Sequence, residues 1–272
     1  MYLTRHQTET GPCWALNGSY LPQTFNLNFL LSLPKPAAFQ LLGSMKTGTQ
    51  AIDSLLPPIE PHQEVWACGV TYLRSRQARM EESDVADVYE RVYEAERPEI
   101  FFKSLGWRAR GDGQSVRIRQ DSTWDVPEPE LMLVLNSAGE ILGYTAGNDM
   151  SSRSIEGENP LYLPQAKTYD GSCAVGPGLL LSENPELGQL PIQLKIVRDG
   201  QVVFDGEANT NQMKRSPQEL VDWLMREIDF PHGAFLMTGT CLVPEDDFTL
   251  QAGDQVTVSV GTLTLENHVA EK

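Results

Sequence analysis

Glu128 and Glu130 are separated by a single proline, and an Asn148-Asp149 pair follows further along the chain. In an extended chain successive side chains point to opposite faces. Glu128 and Glu130 would therefore share one face, and Leu131, Leu133 and Leu135 would take the other. Two carboxylates so close repel each other, and an apolar strand is a costly place to put them without a partner. A hard divalent cation such as Mg²⁺ or Mn²⁺ removes both objections, because it prefers oxygen ligands and neutralises the repulsion. Asp149 is the candidate for a third acid. An isolated Glu-x-Glu reads better as a solvated strand end, so the surrounding sequence has to decide.

The elements that must position these acids are mostly strands. Residues 65–70 and 100–104 are apolar strand candidates. Between them Val85, Val88, Tyr89, Val92 and Tyr93 recur at helical spacing, and Pro98 ends that helix. Beyond Glu130 the apolar runs 141–146, 179–181, 192–197, 202–204 and 256–265 predict β structure, with a tight turn at Asp199-Gly200. One helix interrupts them. Ser216-Pro217-Gln218-Glu219 is a capping box with proline at the first helical position, followed by an apolar stripe of Leu220, Val221, Leu224, Met225 and Ile228. Many short strands with few helices predict an α+β, mainly β fold with a rolled or barrel-like core. Residues 1–62 read as a small N-terminal domain closed by the proline-rich stretch around Pro57, Pro58 and Pro61, and 63–272 as the catalytic domain.

The 272 residues, 40% of them hydrophobic, suffice for a sizeable core. A net charge of −16 without a basic cluster argues against partners such as nucleic acid or an anionic membrane. An anionic substrate would then have to be met by local basic residues. The opening residues lack the apolar core of a signal peptide, and no apolar stretch is long enough to span a bilayer. Cys13, Cys68, Cys173 and Cys241 are scattered without metal-ligand spacing. That fits reduced thiols in a cytoplasmic protein.

Several blocks follow one another in a fixed order. They are Phe101-Phe102-Lys103, Glu128-Pro129-Glu130-Leu131, the run 143–153 containing Gly147-Asn148-Asp149 and ending in Arg153, Lys167-Thr168-Tyr169-Asp170-Gly171-Ser172, Thr238-Gly239-Thr240, and Gly253-Asp254. Over roughly residues 64–268 this order resembles the fumarylacetoacetate hydrolase superfamily. The resemblance implies a mixed β-roll fold, usually homodimeric, around one Mg²⁺ or Mn²⁺ held by Glu128, Glu130 and Asp149. It places Lys167 near the substrate's keto oxygen, Asp170 and Gly171 in the loop behind it, and Thr240 on the substrate carboxylate. Lys103 and Ser104 are further substrate contacts on this reading, a structural ion pair being equally open for Lys103.

One departure bears on the chemistry. Hydrolytic members of that superfamily carry a histidine and a glutamate after a Gly-x-Asn-Tyr motif, and the pair activates water. Here the motif is Gly69-Val70-Thr71-Tyr72, with Ser75 at the histidine position and Ala78 at the glutamate position; His6, His62, His232 and His268 lie elsewhere. Without a base for water, hydrolysis loses a main contributor to its rate. The segment holds Arg74, Arg76, Arg79, Glu81 and Glu82 instead, and it resembles the sugar-acid dehydratase branch. That likeness implies a lyase that removes a C3 proton and the C4 hydroxyl from a 2-keto-3-deoxy sugar acid such as 2-keto-3-deoxy-arabinonate, giving 2,5-dioxopentanoate. Lys167, Glu81 or Glu82 would be the base, and Arg74 and Arg76 would hold the substrate. Alternatives are a hydrolase of acylpyruvate-like diketo acids and a non-catalytic metal-binding member.

Overall fold

The computed structural model describes residues 1–72 and 91–271. Its strands are β1 (Tyr2–Thr8), β2 (Gly11–Leu16), β3 (Ser19–Tyr20), β4 (Leu55–Leu56), β5 (Glu64–Gly69), β6 (Glu99–Leu105), β7 (Ser115–Arg117), β8 (Asp125–Val126), β9 (Pro129–Leu135), β10 (Ile141–Asp149), β11 (Ser151–Ser152), β12 (Cys173–Leu181), β13 (Pro191–Arg198), β14 (Gln201–Asn209), β15 (Ala234–Thr240), β16 (Gln255–Val260) and β17 (Leu263–Ala270). Among the helices are α1 (Leu27–Ser32), α2 (Lys35–Ser44), α3 (Arg153–Glu158), α4 (Leu163–Lys167) and α5 (Pro217–Leu224).

Ten strands form one mixed sheet in the order β3-β2-β1-β12-β10-β9-β15-β5-β6, with β4 also on β1. A five-stranded sheet, β14-β13-β16-β17-β7, lies over it, and β11 pairs with β8. Both larger sheets have open edges, so the described strands roll but close no barrel.

Strand β9 shows why the sequence folds this way. Leu131, Leu133 and Leu135 pack against Ile192, Leu194 and Val258 of the second sheet. Met132 and Val134, on the opposite face, pack with Leu27, Leu30, Leu31 and Phe39 of α1 and α2. A strand covered on both faces reads as a continuous apolar run, and each such side chain contributes about 1.5–3 kcal/mol on burial. The same core ties the N-terminal residues in. β1 pairs with β12, and Leu3 and Trp14 share a cluster with Val134 and Phe235. The expected boundary at residue 62 therefore falls in the loop between β4 and β5, two strands of one sheet.

Two local details differ from the sequence reading. Residues 256–265 are not one run: the chain reverses after β16 and returns as β17. Helix α5 has the expected cap, Ser216 Oγ accepting the Glu219 N–H at 3.1 Å, and buries Leu220, Val221 and Leu224. It ends before Ile228, which is exposed, because Phe230 carries the chain back into the core instead. The Asp199-Gly200 turn between β13 and β14 has both residues at positive φ, 50° and 77°, as a two-residue hairpin loop requires. Most of the helix expected around Val85 to Tyr93 lies outside the described residues.

Candidate metal centre and active site

β9 and β10 are neighbours, with Gly147 opposite Glu130. Asp149 then lies beside Glu128, whose carbonyl accepts the Asp149 N–H at 2.9 Å. Glu128, Glu130 and Asp149 come together so closely that one oxygen of each lies within 4.8 Å of the others. Relative exposures of 3%, 1% and 1% exclude a solvated strand end.

Three buried cations surround the acids. Lys167, at the end of α4, donates to Glu128 Oε2 at 2.6 Å and Asp149 Oδ2 at 3.2 Å. Arg153 opens α3 and donates from Nη2 to Glu128 Oε1 at 2.9 Å. Lys103 on β6 meets Asp149 Oδ1 at 2.5 Å as an ion pair without hydrogen-bond alignment. Its ammonium also donates to the carbonyls of Met150 and Lys167, and so fastens α4 to the sheet. Buried charges persist only when paired and hydrogen-bonded in this way.

Glu130 stands apart from these cations. Burial pushes its carboxyl well above the usual range, and Asp149 and Glu128 push it further, against smaller pulls from Lys167 and the Gly239 N–H. That N–H reaches Glu130 Oε2 at 2.6 Å. It can do so because β15 breaks register between Met237 and Thr240, and Gly239 sits there at φ 94°. A Cβ on Gly239 would lie 2.0 Å from Thr71 Oγ1, so no other residue fits.

A narrow cavity opens onto Glu128 and Asp149, walled by Val70, Glu99, Phe101, Glu156 and Thr240 among others. Val70 holds φ at 52°, an uncommon conformation for a β-branched residue of the kind that clusters at functional sites. Three converging buried carboxylates fit a hard divalent cation in donor type and spacing.

The other residues singled out in the sequence are placed as follows. Thr240 lines the cavity, but its hydroxyl is within reach of the Pro129 and Leu242 carbonyls at 3.1 Å. Ser104 follows Lys103 on β6, so it points to the other face and donates to the Leu105 carbonyl. Asp170 is not brought to the acids. Its side chain meets Arg117 at 3.4 Å near the surface. Gly171 accepts the Arg117 N–H and shapes that turn. Arg74, Arg76, Glu81 and Glu82 lie outside the described residues. Sequence reasoning gave no role to Arg153, although it closes the block that contains Asp149, nor to Glu99 and Glu156.

Fold and site together define a β-rich protein with a buried three-carboxylate centre for a hard cation. The chain belongs to the fumarylacetoacetate hydrolase family: the family described as Fumarylacetoacetate (FAA) hydrolase C-terminal matches residues 78–270. It is 52% identical over 209 residues to a probable 2-keto-3-deoxyxylonate dehydratase of Haloferax volcanii, covering 76% of this chain and 72% of the relative. Over 217 residues it is 48% identical to the 2-dehydro-3-deoxy-D-arabinonate dehydratase of Saccharolobus solfataricus, with the same coverage of 76% and 72%. Among solved structures, it resembles 2-keto-3-deoxy-D-arabinonate dehydratase complexed with magnesium and 2,5-dioxopentanoate, at TM-score 0.87 and 34% identity over 100% of this chain and 99% of the other.

Proposed function

We propose that the protein is a metal-dependent hydro-lyase that dehydrates a 2-keto-3-deoxy sugar acid of the arabinonate or xylonate type to 2,5-dioxopentanoate. The observation that carries this reading is the convergence of Glu128, Glu130 and Asp149 with the Lys167 ammonium, in a chain about half identical to two such dehydratases. Glu128, Glu130 and Asp149 would hold Mg²⁺ or Mn²⁺, and the cation would supply Lewis-acid polarisation of the 2-keto group.

The chain's own residues supply the rest. Lys167 sets a positive charge beside the carboxylates, where negative charge develops as the C3 proton leaves. The C3–H electrons become a C3=C4 double bond, and the C4–O bond breaks with the hydroxyl leaving as water. A C5 proton then leaves as C3 is reprotonated, and the resulting C4=C5 enol tautomerises to the aldehyde of 2,5-dioxopentanoate. Lys167, Glu81 or Glu82 takes the C3 proton. Glu99 and Glu156, further carboxyls of the cavity wall, would protonate the departing hydroxyl. Arg74, Arg76 and Thr240 stand as proposed substrate-side residues, with Lys103 acting through Asp149. Ser104, Asp170 and Gly171, which the fold turns away from the acids, are given no substrate contact. None of the four histidines lines the cavity among its described residues, which favours expelling water over activating it. The working unit on this reading is a cytoplasmic homodimer or higher homo-oligomer; no described helix is long and apolar enough to cross a membrane.

The test is to incubate the protein with Mg²⁺ and either 2-keto-3-deoxy-arabinonate or an acylpyruvate, and to assay semialdehyde formation against diketone loss. Semialdehyde from the sugar acid alone is expected. Diketone cleavage without dehydration would refute the lyase. Glu130→Ala should abolish turnover, and retained turnover would refute the metal centre.

A further inference from the structure

Each acid of the centre has one oxygen engaged from outside the cluster. Arg153 holds Glu128 Oε1, Lys103 faces Asp149 Oδ1, and the Gly239 N–H holds Glu130 Oε2. Lys167 lies between Glu128 Oε2 and Asp149 Oδ2, so those two oxygens face each other across the cluster. Glu128 is the acid whose outer oxygen is fixed by a guanidinium, a strong and directional donor.

Arg153 is itself fixed by its backbone. The ladder between β8 and β11 pairs Ser151 with Val126 and Ser152 with Asp125. The Arg153 N–H then donates to the Trp124 carbonyl at 2.8 Å. Ser151, just before it, donates to Glu156 Oε2 at 3.0 Å. The start of α3 is thus tied to the strand that leads into Glu128, and the guanidinium comes from a rigid support. Arg153 is also only 2% exposed, so it is buried with the acid it serves.

We propose that Arg153 is a positioning residue that restricts Glu128 to a single cation ligand, Oε2, and thereby keeps coordination positions open for a chelating 2-keto acid. The inference rests on the metal-centre reading above. A carboxylate free at both oxygens can bind a cation through both, and the second oxygen would occupy a position the substrate needs. The guanidinium, held by the backbone of α3, occupies that oxygen instead, whereas the Lys167 ammonium on Oε2 ends a flexible stem with rotatable donors and can share that oxygen with the cation. The guanidinium also offsets one negative charge, so the centre binds its cation less tightly than bare acids would.

The probe is Mn²⁺ alone, followed by electron paramagnetic resonance for affinity and by water-proton relaxation for the number of exchanging waters. Wild-type protein should bind one Mn²⁺ per chain. Arg153→Met should bind Mn²⁺ about tenfold more tightly, since a nearby positive charge is removed, and should carry one exchanging water fewer. With Mg²⁺, the KM for the keto acid should rise more than kcat falls. Arg153→Lys, which keeps the charge, should restore most of the wild-type affinity. Unchanged or weaker Mn²⁺ binding in Arg153→Met, with the water number unaltered, would overturn the proposal while leaving the centre intact. No Mn²⁺ binding by wild-type protein would overturn the metal-centre reading itself. If Arg153→Met does not fold, Arg153→Gln carries the same test with a smaller expected change, because a neutral amide holds the carboxylate about half as strongly.

Discussion

Asp125 and Glu128 lie close in sequence, and both are 3% exposed. Their surroundings differ. Asp125 is pushed up to about 6 by burial, against a smaller opposite pull from the nearby Ser122 and Ser152 hydroxyls, and its Oδ1 has no hydrogen-bond partner. Glu128 has a guanidinium on one oxygen and an ammonium on the other, with Asp149 alongside. Burial alone makes an acid hold its proton. A centre that can take a divalent cation needs buried acids and, as well, cations that converge on them to offset their repulsion. β8 supplies only the first condition; β9 and β10, with Lys103, Arg153 and Lys167, supply both.

The largest break in that contrast should come from the cluster. Glu128→Gln removes a cation ligand and leaves Arg153 and Lys167 facing a neutral amide. Loss of Mn²⁺ binding is expected, together with a fall in kcat/KM of about 10³-fold; a fall below tenfold would contradict the assignment. Lys167→Met should lower kcat by about 10²–10⁴-fold, the range for a positioned proton-transfer group, with Mn²⁺ still bound. Were the metal lost as well, Lys167 would be holding the acids rather than serving the reaction.

Gly239→Ala tests the backbone beneath Glu130. The new Cβ would strike Thr71, and the φ of 94° suits no side chain. A stability loss of about 1–3 kcal/mol is expected, measured by denaturant unfolding, with weaker Mn²⁺ binding as the Glu130 contact shifts.

The smallest effect should come from Asp125. Its folded value, about 6, lies above the ordinary 3.8, so the native state keeps a proton that the unfolded chain has released. That contribution is present below the ordinary value and is lost as pH rises toward about 6. Asp125→Asn should therefore be more stable than the wild type above about pH 6 and lose that advantage in acid. Thermal unfolding across the range checks it, and a pH-independent difference would show that Asp125 does not titrate as described.

Much of the centre was legible because local patterns carried it. The Glu-x-Glu spacing puts two acids on one face, and the blocks around Asn148-Asp149 and Lys167 bring in the family likeness. Other readings failed for physical reasons. Ile228 continued a helical stripe on paper, but the helix stops once Leu224 is buried and Phe230 reaches the core. Asp170 sits close to Lys167 in sequence, yet the turn at Gly171 sends its carboxylate to Arg117.

The sequence by itself determined which groups could do chemistry: acids at alternate strand positions, a lysine in a matching loop, and no histidine where a water-activating base would stand. Pattern and residue type are local properties, and the chain carries them without folding. Only the tertiary structure decided which cation meets which oxygen. Arg153, Lys103 and Gly239 reach the acids from α3, β6 and a break in β15. Those pairings depend on strand register and helix placement across long stretches of chain, which no short-range spacing encodes.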